Sequence, residues 1–84
     1  MDAYYFTFQS MTQAQTAAAA LQRHGYSAIF MRAPKRISMT GCGYAVQIRL
    51  TDIYSALSVL ANSAMIPKKI FRSAGNGDAV EVFL

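Results

Sequence analysis

Residues 44–64 read YAVQIRLTDIYSALSVLANSA, and this stretch decides the fold. Its first seven residues alternate. Tyr44, Val46, Ile48 and Leu50 fall on one face and Ala45, Gln47 and Arg49 on the other, the pattern of a half-buried strand. At Thr51 the period changes. Ile53, Ala56, Leu57, Leu60 and Ala64 recur at helical spacing, so a helix is expected over about residues 52–64. Thr51 stands where an N-cap is needed, and Asp52 falls in the first turn, where the helix dipole favours a negative charge. Pro67 marks the exit.

The same strand-then-helix grammar occurs earlier in the chain. Tyr4, Phe6 and Phe8 alternate with Tyr5, Thr7 and Gln9. Ser10 with Gln13 forms a capping box, and an alanine-rich helix over about residues 11–24 carries Met11, Ala14, Ala18 and Leu21 on one stripe. Gly25 takes the usual position after a helix C-terminus. Ser27 to Arg32 reads as a second strand stopped by Pro34. Lys68 to Arg72 reads as a fourth strand, Ala74-Gly75-Asn76-Gly77-Asp78 as a turn, and Ala79 to Leu84 as a last strand.

The order is β-α-β-β-α-β with an extra C-terminal strand forming a hairpin. Its simplest packing is an α+β, ferredoxin-like two-layer sandwich in a single domain over residues 1–84. The first and third strands are then central and both helices cover one face. With Phe6 and Val46 under the helices, Tyr5, Thr7, Gln47 and Arg49 line the open face.

The 84 residues are 54% hydrophobic and 14% charged, which leaves apolar surface on so small a body. A homo-oligomer is expected, most simply a two-fold dimer through the open face or the strand Val80-Glu81-Val82-Phe83-Leu84. The net charge is +4. Basic residues gather as Arg32/Lys35/Arg36 and as Lys68/Lys69/Arg72, groups that suit phosphate or an acidic partner but equally suit solvated edge strands. The first residues lack the basic and long apolar regions of a signal peptide, and no apolar run reaches membrane-spanning length. One cysteine makes no internal disulfide and fits a reducing compartment, so a bacterial-type cytoplasmic protein is expected.

The strongest chemical feature is that cysteine. Cys42 lies between Gly41 and Gly43, after the basic segment Pro34-Lys35-Arg36-Ile37-Ser38-Met39-Thr40. Flanking glycines remove side-chain cover and admit a partner's backbone. The positive charge of Arg32, Lys35 and Arg36 favours the reactive thiolate and is expected to draw its pKa below the usual value of about 8.5. Ser38 and Thr40 add hydroxyl donors, and the backbone N–H groups around Gly41 and Gly43 form a candidate anion nest. The ordinary alternative is a loop cysteine turned inward between sheet and helix.

Other chemistries find less support. With Cys42 and His24 alone there is no metal-ligand spacing, and no cofactor motif is present. His24 fits a helix C-terminus better than a catalytic base. The four acidic residues Asp2, Asp52, Asp78 and Glu81 form no acid/base pair. An RNA-recognition sheet needs a third strand with alternating aromatics; here Tyr44 is followed by Ala45, Val46, Gln47 and Ile48, which argues against nucleic acid. A carrier or binding module is therefore expected rather than an enzyme.

The opening Tyr4-Tyr5-Phe6-Thr7-Phe8 strand and the segment with Pro34, Ile37, Ser38, Cys42 and Gly43 resemble a small bacterial selenium/sulfur carrier protein-like family, a domain of unknown function. The resemblance runs from Tyr4 to about Phe71. It implies that Cys42 accepts sulfur or selenium as a persulfide or selenosulfide, with a donor and an acceptor protein as partners. Gly41 stands where a small polar residue is expected, and the tail from Ala74 is longer than the family pattern. A non-enzymatic partner-binding or regulatory module of the same fold, acting as a homo-oligomer, is the competing function.

Overall fold

The computed structural model of the chain describes residues 3–38, 43–73 and 78–84, without the side chains of Arg36 and Ser38. Strand β1 (Ala3–Phe8) leads into helix α1 (Met11–Arg23), strand β2 (Ile29–Arg32), a four-residue helical turn α2 (Lys35–Ser38) and strand β3 (Tyr44–Arg49). A 3-10 turn (Leu50–Asp52) opens helix α3 (Ile53–Asn62), followed by strands β4 (Lys69–Ser73) and β5 (Ala79–Val82). The result is a small α+β structure with a five-stranded sheet in the order β2-β3-β1-β4-β5, antiparallel at each junction.

Both long helices pack on one side of that sheet. Phe6, Phe8, Val46 and Ile48 form a single buried cluster with Ala14, Ala17, Ala18 and Leu21 of α1 and with Ile53, Ala56 and Leu60 of α3. Alanines on the buried stripe let α1 sit close to the strands, while the larger side chains come from the sheet. Met11, expected on that stripe, is exposed instead. It lies at the first position of α1.

The caps explain where the helices begin and end. The Ser10 hydroxyl accepts a 3.0 Å hydrogen bond from the Gln13 backbone N–H, one orphan donor of the first turn. Thr51 does not cap α3. It lies inside the 3-10 turn, and Asp52 occupies the N-cap without a side-chain cap bond; its carboxylate instead meets Arg49 Nε at 3.3 Å. Both long helices end in Schellman motifs. In α1 the N–H of Gly25 donates to Gln22 and that of Tyr26 to Leu21. In α3 the N–H of Ala64 donates to Ala61 and that of Met65 to Leu60.

The far face of the sheet is open only in part: Arg49 is exposed and Tyr5 and Gln47 are half-buried, as the sequence pattern implies, but Thr7 is not. Thr7 and Ala45 are opposite each other on it, and both are fully buried, as is Ile37 of α2. None of the three belongs to the helix-side cluster. A bare sheet face leaves such small side chains wet, so this part of the face is covered, and the β2–β3 connection contributes a third buried side chain in Ile37. The expected unstructured loop after Pro34 is thus a helical turn, closed by the Ile37 N–H donating to the Pro34 carbonyl at 2.9 Å.

The two Schellman positions give a direct test of backbone strain. Gly25 has φ +89°, and Ala64 has φ +57°, a region where a Cβ costs about 1–2 kcal/mol. Nothing lies near a Cβ built on Gly25, so only the backbone matters there. Gly25→Ala is expected to lower stability by about 1 kcal/mol and Ala64→Gly to raise it by a similar amount, after the opposing unfolded-state entropy. Urea denaturation of the two variants measures both signs.

Candidate functional site

The candidate site is the β2–β3 connection. β2 and β3 pair with Ile29 opposite Gln47 and Arg32 opposite Tyr44. Beyond that pair the ladder closes with one more bond, the Ala33 N–H donating to the Gly43 carbonyl at 3.0 Å. Phe30 and Tyr44 stack across the two strands, with ring centroids 6.2 Å apart and planes 13° from parallel. This ring pair stiffens the root of the connection. It was not singled out from the sequence, although an aromatic at a strand start and another two residues before the facing strand's end are a usable signal.

The expected site residues divide into three groups. Arg32 ends β2 and is exposed, Lys35 opens α2 and is exposed, and Gly43 is exposed directly before β3. These three share the root of the connection. Arg36 and Ser38 belong to α2 by their backbone, but their side chains lie outside the description. Thr40, Gly41 and Cys42 lie outside the described residues altogether. What the fold establishes for Cys42 is its immediate attachment: its neighbour Gly43 is tied to Ala33.

Ile37 carries part of the family resemblance, but the sequence gives it no structural role; it is the one fully buried side chain of that connection among the described residues. An apolar residue inside a basic, proline-led segment is itself the signal. It makes α2 an anchor rather than a solvated link. The segment with the cysteine is therefore fastened on both sides, by Ile37 before it and by the Ala33–Gly43 bond after it.

Gly43 is informative in a different way. A Cβ added there meets nothing within 4 Å. The fold itself does not need glycine at this position, so its small size is not explained by internal packing. The second basic group does not converge on a site. Lys69 and Arg72 alternate on β4, and the Arg72 guanidinium lies 6.0 Å from the centre of the Tyr4 ring. Phe71, on the far face opposite Tyr5, is buried and presents no stacking platform.

A cleft of about 200 Å³ opens at the same end of the sheet, lined by Phe8, Thr12, Gln13, Thr16, Ala64, Met65 and Ile66. Phe8 is also the β1 partner of Tyr44, so the cleft and the root of the connection meet through one residue pair. Among the described residues no three His, Cys, Asp or Glu side chains gather as a metal site, and no helix is long and apolar enough to cross a membrane.

The geometry defines a small antiparallel α+β domain whose single cysteine falls in an anchored hairpin connection. The family described as "Putative Se/S carrier protein-like" matches residues 3–72, and the chain belongs to that family. No curated protein and no solved structure matches it.

The anchoring yields two expected outcomes that differ sharply. Ile37→Ala is expected to cost about 2–4 kcal/mol, the ordinary range for emptying a buried aliphatic site. Gly43→Ala is expected to change stability by less than about 0.5 kcal/mol, as for an open surface position. Chemical denaturation separates the two.

Proposed function

We propose that this chain is a sulfur or selenium carrier that holds the transferred atom on Cys42 as a persulfide or selenosulfide. The observation that carries the reading is the family match over residues 3–72, a span that includes the chain's one cysteine. The anchored connection supports it, because a transfer thiol must be offered to two partners in turn from a fixed support. We also read the strand order and the one-sided helix layer as a ferredoxin-like sandwich with a fifth strand added. The reducing chemistry of a free thiol fits a cytoplasmic location.

The proposed transfer balances without an outside oxidant or reductant. The Cys42 thiolate attacks the outer sulfur of a donor persulfide. A new S–S bond forms at Cys42, the donor's S–S bond breaks, and the donor departs as a thiolate. The proton on the outer sulfur travels with it. Selenium moves in the same way from a donor selenosulfide. The atom leaves again when an acceptor nucleophile attacks it, which makes the protein a carrier rather than a catalyst. In this reading Arg32, Lys35 and Arg36 favour the Cys42 thiolate and draw in an anionic donor. Ser38 and Thr40 donate hydrogen bonds to the anion. Gly41 and Gly43 leave the backbone approachable by donor and acceptor proteins.

The test is mass spectrometry of the protein after exposure to a small persulfide donor. One added sulfur atom on Cys42 is expected, absent in Cys42→Ser, with slower alkylation in Arg36→Ala. Gly43→Ala is expected to keep its stability and lose transfer to a protein acceptor. A thiol that resists alkylation until the protein unfolds overturns the carrier reading. It would leave the partner-binding module as the function.

A further inference from the structure

We propose that β5 is a dimerisation strand, and that its occupant is β5 of a second copy, paired antiparallel about a two-fold axis at Val82. This stands independently of the carrier chemistry. β5 is the last strand of the sheet, so its outer edge lies beyond the five described strands. The family match stops at residue 72, inside β4, so β5 lies outside the matched span. Without it, β4 would form the edge and carry Lys69 and Arg72, charges of the kind that discourage edge pairing. β5 replaces that guarded edge with an apolar one. Val80 is 51% exposed, Phe83 87% and Leu84 54%. The segment 79–84 contains neither lysine nor proline, and Glu81 is its only charge.

Glu81 sets the register. Val80 lies opposite Arg72 and Val82 opposite Ile70, while Glu81 lies opposite Phe71. Val80 and Val82 therefore face the helix side, and Glu81 the far side. A two-fold axis at Glu81 would place two carboxylates directly opposite, which is unfavourable. An axis at Val82 instead puts Val82 against the partner subunit's Val82 and Glu81 against the partner subunit's Phe83. With the strand extended to Leu84, Val80 meets the partner subunit's Leu84. Continuing the β4–β5 register by one residue sets Lys69 beside Phe83. Glu81 and the partner subunit's Lys69 then lie two strand spacings apart on one face, about 9–10 Å, within the joint reach of the two side chains. The edge is thus complementary to itself, Val82 on the partner subunit's Val82 and Val80 on the partner subunit's Leu84, with Glu81 set between Lys69 of its own chain and the partner subunit's Lys69, and this favours a second copy over an unrelated strand. The opposite edge, β2, has four residues and runs into Ala33-Pro34, so head-to-tail growth from β5 onto β2 is cut short by proline.

Sedimentation equilibrium of the full chain at high micromolar concentration is expected to give twice the monomer mass. Val82→Lys sets two ammonium groups at the axis and is expected to weaken the dimer by about tenfold or more. Cross-linking keeps the test independent of that variant's folding. In a Cys42→Ser background, Val82→Cys is expected to form an intersubunit disulfide under mild oxidation. Glu81→Cys is not, because the two positions are then about 8 Å apart, beyond the disulfide limit of about 7 Å. A monomer, an assembly that grows past two copies, or a folded Val82→Lys protein that dimerises as before overturns the proposal. Cross-linking at residue 81 in preference to 82 overturns the axis.

Discussion

Strand β1 is buried on both faces, and the rest of the structure is arranged around that constraint. Phe6 points into the helix layer and Thr7 into the far side, and both are fully buried. A threonine so placed must satisfy its hydroxyl. It donates to the Lys69 carbonyl and accepts from the Lys69 N–H, each at 3.1 Å. The Lys68 N–H then donates to the Thr7 carbonyl at 2.8 Å. One side chain thereby fixes where β4 begins. Valine in its place would fill the space but leave two backbone groups of Lys69 without a partner, at a cost of about 1–3 kcal/mol for each that stays buried. A polar residue in the middle of the sheet thus serves register more than it serves hydrophobic stability.

Two-sided burial also dictates the route of the β2–β3 connection. Helices α1 and α3 occupy one face, so the cover for Thr7 and Ala45 has to come from another part of the chain. The β2–β3 connection brings in a further buried side chain, Ile37 of α2. The consequence reaches the candidate site, because the segment from Met39 to Cys42 is joined to α2 on one side and to the hydrogen-bonded Gly43 on the other. The described residues on either side of it are held, Ile37 by burial and Gly43 by its bond to Ala33.

Much of this was legible in the sequence, and the parts that were not have physical causes. Alternation in residues 3–9 and 44–50 identifies β1 and β3 because one face of each is strongly apolar. Ser10 and Gly25 mark the ends of α1 because their chemistry is local. Thr51 misled for the opposite reason: two residue types suited to capping stand side by side, and the Arg49–Asp52 contact favours beginning α3 one residue later. The open far face is right only in part. Thr7, Gln47 and Arg49 read as a wet surface; Arg49 is exposed and Gln47 half-buried, but Thr7 is fully buried. The burial of Ile37 was invisible because a single apolar residue carries no period.

The candidate site shows the same division. Its identity came from residue types and family likeness, whereas its mounting came from packing. Glycines around a thiol can serve an internal turn or an external visitor, and sequence alone does not separate the two. The open space around a Cβ at Gly43 removes the internal explanation at that position. Small size there leaves the approach to the backbone clear from outside. Gly43 thus joins a fixed backbone, tied to Ala33 beside the Phe30–Tyr44 stack, to a side that internal packing leaves uncovered.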